Sequence, residues 1–201
     1  MTDIFPTWIE SLTANEQRRF TGLLILAIVL ILLYLLRDSL RYWREGHQIT
    51  RVAKRLGARM LRDVDLPDGL GGRIGIDFLA LATDAILVIG VKRYDGLIYG
   101  SERIDEWTQS VHRRSYKFPN PDAYLQQQIG AVRMIVPNIP VRGLHLFTDS
   151  AVFPKDKPSN VLQVKDLPPG TRRPRPNDIP AELQMAWIQL MHALNEVPAR
   201  G

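Results

Sequence analysis

The chain has 201 residues, enough for a membrane anchor and one medium-sized domain with its own core. It contains no cysteine, which excludes disulfide staples, thiol nucleophiles and thiolate metal sites. The formal net charge is +5, and the chain stays basic when Asp3, Glu10, Glu16, Arg18 and Arg19 of the first segment are set aside. That charge suits phosphate-bearing partners, either nucleic acid or anionic lipid.

Residues 1–19 form a short N-terminal segment that includes Trp8. Phe20 to Leu36 then reads FTGLLILAIVLILLYLL, without a charge. At about 1.5 Å per residue this helix spans roughly 25 Å, the short end for a hydrocarbon layer of about 30 Å. It is apolar on every side, whereas the helix of a soluble core keeps a polar stripe. Arg37-Asp38-Ser39-Leu40-Arg41 follows it, where a signal peptide would present small residues for cleavage. Tyr34, Tyr42 and Trp43 supply rings for the headgroup region. The reading is a single transmembrane helix over residues 20–36 and a juxtamembrane connector over 37–45. Arg18 and Arg19 precede the span, and Arg37, Arg41, Arg44, Arg51, Lys54 and Arg55 follow it. The positive-inside rule then places the C-terminal domain in the cytoplasm and residues 1–19 outside it. The same basic run suits anionic lipid.

Beyond the connector, Ile49, Val52, Ala53, Leu56 and Met60 recur at helical spacing, predicting a helix over 47–61, with Gly46 weakening continuity with the anchor. A strand over 62–66 and a turn over Pro67–Gly72 follow. Residues 73–82 and 85–93 read as two strands, the second central because Ala85–Ile89 is uniformly apolar. Asp95-Gly96 signals a hairpin, with 97–100 as the returning strand. Asn120-Pro121-Asp122 starts a helix that carries Leu125, Ile129, Val132 and Val136 on one face, and Pro137 closes it. Short strands are expected at 144–148 and 161–164. Residues 168–180 read as a basic, Pro-rich linker, and 181–201 as an amphipathic helix, about 181–195, and a tail.

Gly69, Gly71, Gly72 and Gly75 match no nucleotide-binding loop, since no helix follows them to cradle a phosphate. His47, His112, His145 and His192 lack metal-ligand spacing and read as surface or hydrogen-bonded histidines. No G-x-S-x-G elbow occurs.

One stretch is more specific. The Leu66-Pro67 glycine turn, Ile76-Asp77, Val88-Ile89-Gly90-Val91-Lys92, Tyr94 through Glu102, Trp107-Thr108-Gln109, and Tyr116-Lys117-Phe118 leading to Asn120-Pro121 occur in one order. Together with Leu146-Phe147-Thr148 they resemble the nuclease-related (NERD) domain, over residues 46–167. The resemblance implies an α/β fold of the restriction-endonuclease-like, PD-(D/E)xK class: a central mixed sheet flanked by helices, here preceded by one transmembrane helix. It also implies DNA processing.

In that class, an aspartate and a glutamate on neighbouring strands bind Mg²⁺, and a lysine two residues after the glutamate shares its strand face. Asp77 matches the aspartate and Lys92 the lysine, but Gly90 stands where the glutamate belongs. No acid lies between Glu45 and Asp63 to supply the assisting helix glutamate, and Gln48 is the stand-in there. Asp77 is therefore a weak metal ligand, with Asp95 or Glu102 completing the site only if a carboxylate has migrated. Mg²⁺ is expected only of an active enzyme. The preferred expectation is a tethered nucleic-acid-binding protein with a degenerate catalytic site, holding backbone phosphates through Arg93, Arg113, Arg114, Lys117, Arg51 and Arg55. The alternatives are an active Mg²⁺-dependent nuclease with a migrated carboxylate, and a membrane-surface interaction module without a nucleic-acid role. The anchor is directly testable: Val29→Arg, costing about 2.5–3.5 kcal/mol of insertion at mid-span, should move the chain out of the carbonate-washed membrane fraction.

Overall fold

The computed structural model describes residues 14–69, 71–168 and 170–195. The expectations for residues 1–13, including Trp8, and for the tail over 196–201 fall outside them. The chain divides into two compact units, the second beginning at His47. Helix α1 is continuous over Ala14–Leu56, so Gly46 does not interrupt it. Within it, Arg18–Arg37 is long and apolar enough to cross a membrane, and none of that window is buried. The helix ends five residues earlier than expected, at Leu56, because Gly57 lies against the sheet. A Cβ there would sit 2.8 Å from the Leu81 carbonyl.

The second unit is the expected α/β arrangement of mixed sheet and flanking helices. Strands β1 (Arg59–Pro67), β2 (Arg73–Leu81), β3 (Ile86–Lys92), β7 (Val141–Phe147) and β9 (Val161–Gln163) form a sheet in the order β1-β2-β3-β7-β9. The first two pairings are antiparallel, and the pairings of β3 with β7 and of β7 with β9 are parallel. Helices α2 (Asp122–Ile135) and α3 (Ala181–Asn195) cover one face, burying Ile86, Val88, Leu125, Ile129 and Trp187 together. The end of α1 covers the other face, where Ile49, Val52 and Ala53 meet Phe78, Ala80, Ile89 and Leu146.

A second sheet, in the order β6-β5-β4-β8, corrects the hairpin expectation. It comprises β4 (Gly96–Tyr99), β5 (Glu106–Val111), β6 (Arg114–Pro119) and β8 (Ala151–Val152), and both β5 and β6 lack a counterpart in the sequence reading. β4 does not return along β3, whose neighbours in the first sheet are β2 and β7. It pairs with β5 and β8 instead. An aromatic cluster draws it there: Tyr94 stacks on Phe118 at 4.6 Å, and Trp107 is parallel to Phe147 at 6.3 Å. The turn depends on Gly96, whose φ is +80° and whose Cβ would lie 2.4 Å from the Ser110 carbonyl.

The stretch read as a linker is tied down. The Arg173 guanidinium donates to the carbonyls of Gly57 at 3.1 Å and Ala58 at 2.6 Å, and α3 then enters the main core. Trp187 is 2% exposed. Trp187→Ala should lower unfolding free energy by about 3–5 kcal/mol, read by denaturant titration, whereas a helix outside the core would tolerate it.

Candidate functional site

The site forms where β2 and β3 separate. Their ladder runs from Leu81↔Ile86 to Phe78↔Ile89 and stops. At the next position the Asp77 side chain replaces a backbone partner: its Oδ2 accepts from the Val91 N–H at 2.6 Å. On the other side, Asp63 of β1 stands opposite Asp77 with φ +51°. Both strands change their inward side there without losing register, since Val64 and Ile76 belong to one core, Met60 and Phe78 to the other. The Gly75 carbonyl, beyond the end of that ladder, is taken up by α2, accepting from Gln128 Nε2 at 2.6 Å and Tyr124 Oη at 3.2 Å. The result is an open cleft of about 420 Å³ lined by Asp63, Asp65, Asp77, Gly90, Lys92 and Gln128 among others.

Asp77, Gly90 and Lys92 thus meet in one cleft. Gly90 is paired with His145 of the parallel neighbour β7. A Cβ built on Gly90 would lie 3.6 Å from His145 Nδ1 and 3.8 Å from Lys92 Nζ, ordinary contact distances. No steric reason therefore excludes a side chain at position 90. Burial pushes the Lys92 pKa down, and the charge of Asp77 opposes this.

The remaining candidates lie elsewhere. Gln48, Arg51 and Arg55 belong to α1, whose end packs on the face opposite to the one carrying Gly90 and Lys92. Glu102 accepts from the Ser159 backbone at 2.9 Å and its hydroxyl at 2.6 Å, which holds its carboxyl below the usual range. Neither Glu102 nor Asp95 is among the residues that line the cleft. Arg113 lies in the β5–β6 turn, Arg114 opens β6, and Lys117 pairs with Glu106 at 3.0 Å across that hairpin. Arg93 is exposed just after β3.

The acids beside Asp77 in the cleft are each paired with an arginine. Asp63 pairs with Arg62 at 2.9 Å and Asp65 with Arg73 at 3.2 Å. Among the described residues, no group of three or more histidine, aspartate or glutamate side chains is placed to hold a metal. The carboxylates that line the cleft are those of Asp63, Asp65 and Asp77, and position 90 adds none.

The sequence reading missed a buried network behind Gly90. His145 is 1% exposed. Its Nε2–H donates to Asp122 Oδ1 at 2.7 Å, and Asn160 Nδ2 donates to the same oxygen at 2.7 Å. Asp122 is the first residue of α2, and its N–H donates to Asn120 Oδ1 at 2.9 Å. Burial lowers the His145 pKa; the hydrogen bond and charge of Asp122 oppose this, and Lys92 adds to it. The contact with Asp122 is therefore a hydrogen bond from a neutral ring. His145 Nδ1 has no hydrogen-bond partner. Spacing searches for metal ligands could not find this group, because its members meet only through the β3–β7 pairing and the start of α2.

The family follows from a comparison with known proteins: the chain belongs to the nuclease-related domain (NERD) family, whose model matches residues 42–148, more than half of it. An uncharacterized protein of Bacillus anthracis is 26% identical over 121 residues, covering 57% of this chain and 57% of that protein. The chain thus spans a little over half the length of that curated relative. No solved structure matches the chain.

The His145 pKa carries a stability prediction. Because the folded value is depressed below the ordinary 6.5, the unfolded chain binds more protons in the window just below 6.5. Stability should fall as pH drops through that window toward the folded value. The melting midpoint of the wild type should decline between about pH 7 and about pH 5, and His145→Asn should remove part of that slope.

Proposed function

We propose that this is a membrane-tethered nuclease-fold protein that binds nucleic-acid backbone at the Asp77–Lys92 cleft without cutting it. The observation that carries this reading is Gly90. It leaves β3 without the carboxylate that the fold class carries two residues before the lysine, while Lys92 remains in the cleft as a phosphate-seeking cation. A phosphodiesterase of this class needs a metal to activate water and stabilise charge, and here the Asp77 carboxylate is engaged by a backbone N–H while Asp63 and Asp65 are engaged by arginines. Backbone binding needs only cations, and the basic chain supplies them. Arg93, Arg113, Arg114 and Lys117 extend the contact beyond the cleft. Residues 20–36 anchor the protein as a single pass, and the basic flank after the span keeps the domain in the cytoplasm.

The test uses the full chain in zwitterionic nanodiscs with labelled single- and double-stranded DNA. Binding should persist in EDTA, weaken steeply with salt, and produce no cleavage in Mg²⁺ or Mn²⁺. Lys92→Ala should reduce the salt slope by about 1, the loss of one phosphate contact. Gly90→Glu, which the backbone accommodates, should restore metal-dependent nicking that Asp77→Asn abolishes. Metal-dependent cleavage by the wild type would overturn the reading in favour of an active nuclease. Binding to anionic vesicles without binding to DNA would overturn it in favour of a membrane-surface module.

A further inference from the structure

We infer that His145 is the positioning residue for Lys92: its Nδ1 lone pair, presented through the gap left by Gly90, accepts a hydrogen bond from the Lys92 ammonium and holds that cation at the phosphate-binding cleft. The inference rests on the backbone-binding reading for its consequence, but its geometry stands on its own observations.

Three observations converge on one point. His145 and Gly90 are register partners in the parallel β3–β7 pair. The direction in which a Gly90 side chain would leave the backbone leads to a point 3.6 Å from Nδ1 and 3.8 Å from Nζ. Nδ1 is a buried nitrogen without a partner, in a ring whose other nitrogen is committed to Asp122. A neutral histidine that donates through Nε2 must accept through Nδ1. Buried acceptors are seldom left empty, and Lys92 Nζ lies near the gap with three donors. Both nitrogens lie within 4 Å of the point that a Gly90 Cβ would occupy, a gap that a change in the terminal torsions of the lysine would have to close.

The arrangement has the logic of a carboxylate that sets a histidine, which in turn sets the group in front of it. Asp122 and Asn160 fix the ring, and the ring fixes the ammonium. A glutamate at position 90 would fill the gap between His145 and Lys92. Its replacement by glycine exposes the lysine to the imidazole and exchanges a charged anchor for a neutral one. A neutral anchor orients the ammonium without cancelling its charge, so the cation stays available to a phosphoryl oxygen.

The test has two arms, both on the full chain in zwitterionic micelles. In the first, histidine is labelled with ¹⁵N and the Nδ1 resonance of His145, assigned with His145→Asn, is followed. It should carry the shift of a hydrogen-bonded acceptor, and Lys92→Met should move it to that of a free one. An Nδ1 signal that Lys92→Met leaves unchanged overturns the inference, whatever happens to DNA binding. In the second arm, DNA affinity is measured in EDTA. His145→Phe should weaken binding on the order of tenfold in the wild type, as expected for losing one charge-assisted hydrogen bond, and should add nothing when Lys92 is already Met. His145→Asn, which keeps an acceptor near the Nδ1 position, should retain most of the affinity and controls for any folding defect in the Phe variant. A His145→Phe loss that persists beside Lys92→Met overturns the inference, because the histidine would then act independently of the lysine. If wild-type protein binds no DNA while Lys92→Met still moves the Nδ1 signal, the pairing stands and the nucleic-acid reading fails.

Discussion

The bond from the Val91 N–H to the Asp77 carboxylate is the contact on which the site depends. A strand N–H inside a protein must find a partner, and the partner would ordinarily be a carbonyl of the neighbouring strand. Here a side chain takes that place at the point where the β2–β3 ladder ends. Three consequences follow. β3 keeps its parallel pairing with β7 and stays rigid, β2 turns away, and the Gly75 carbonyl is taken up by α2. The cleft is the space opened by that exchange, so the residue that belongs to the chemistry of the fold class also holds the cleft open.

Asp77 thus has a structural duty besides any chemistry. Asp77 contributes a backbone contact whether or not a metal is bound. A carboxylate at position 90 would have no comparable duty: position 90 is paired through its backbone to β7, and its side chain would meet only His145 and Lys92 at ordinary distances. The architecture therefore tolerates glycine there. Behind it, the Asn160–Asp122–His145 chain links a loop, the start of α2 and a central strand.

The second sheet extends the domain away from the cleft around the buried rings of Trp107 and Phe147. β4 joins it because Gly96 permits a left-handed turn that carries the chain out of the first sheet, where it pairs with β5 and β8. Arg113, Arg114 and Lys117 travel with that hairpin. Cations that lie near one another and near Lys92 in the chain are thereby distributed between two sheets.

Much of this was legible in the sequence alone. The apolar run of residues 20–36 has no charge and no polar stripe, and the structure has an exposed apolar helix over that stretch. The apolar run of β3 was readable because that strand is buried on both faces, and the periodicity of α2 and α3 because each helix buries one face against the sheet. Asp77, Gly90 and Lys92 were readable from an ordered motif, since two lie two residues apart on one strand. Tertiary structure decided what depends on partners distant in sequence. β5 and β6 escaped notice because much of their surface is polar or exposed, and only Trp107 is fully buried. The orientation of α1 away from the cleft removed Gln48, Arg51 and Arg55 from the site, which helical spacing cannot foresee, since both faces of the sheet take apolar cover. The His145–Asp122 pair bridges 23 residues and exists only because a parallel strand pairing sets the histidine beside Gly90 while a helix start brings up the carboxylate. Composition and periodicity report what one segment needs to bury; which polar groups meet across segments is settled by register and packing.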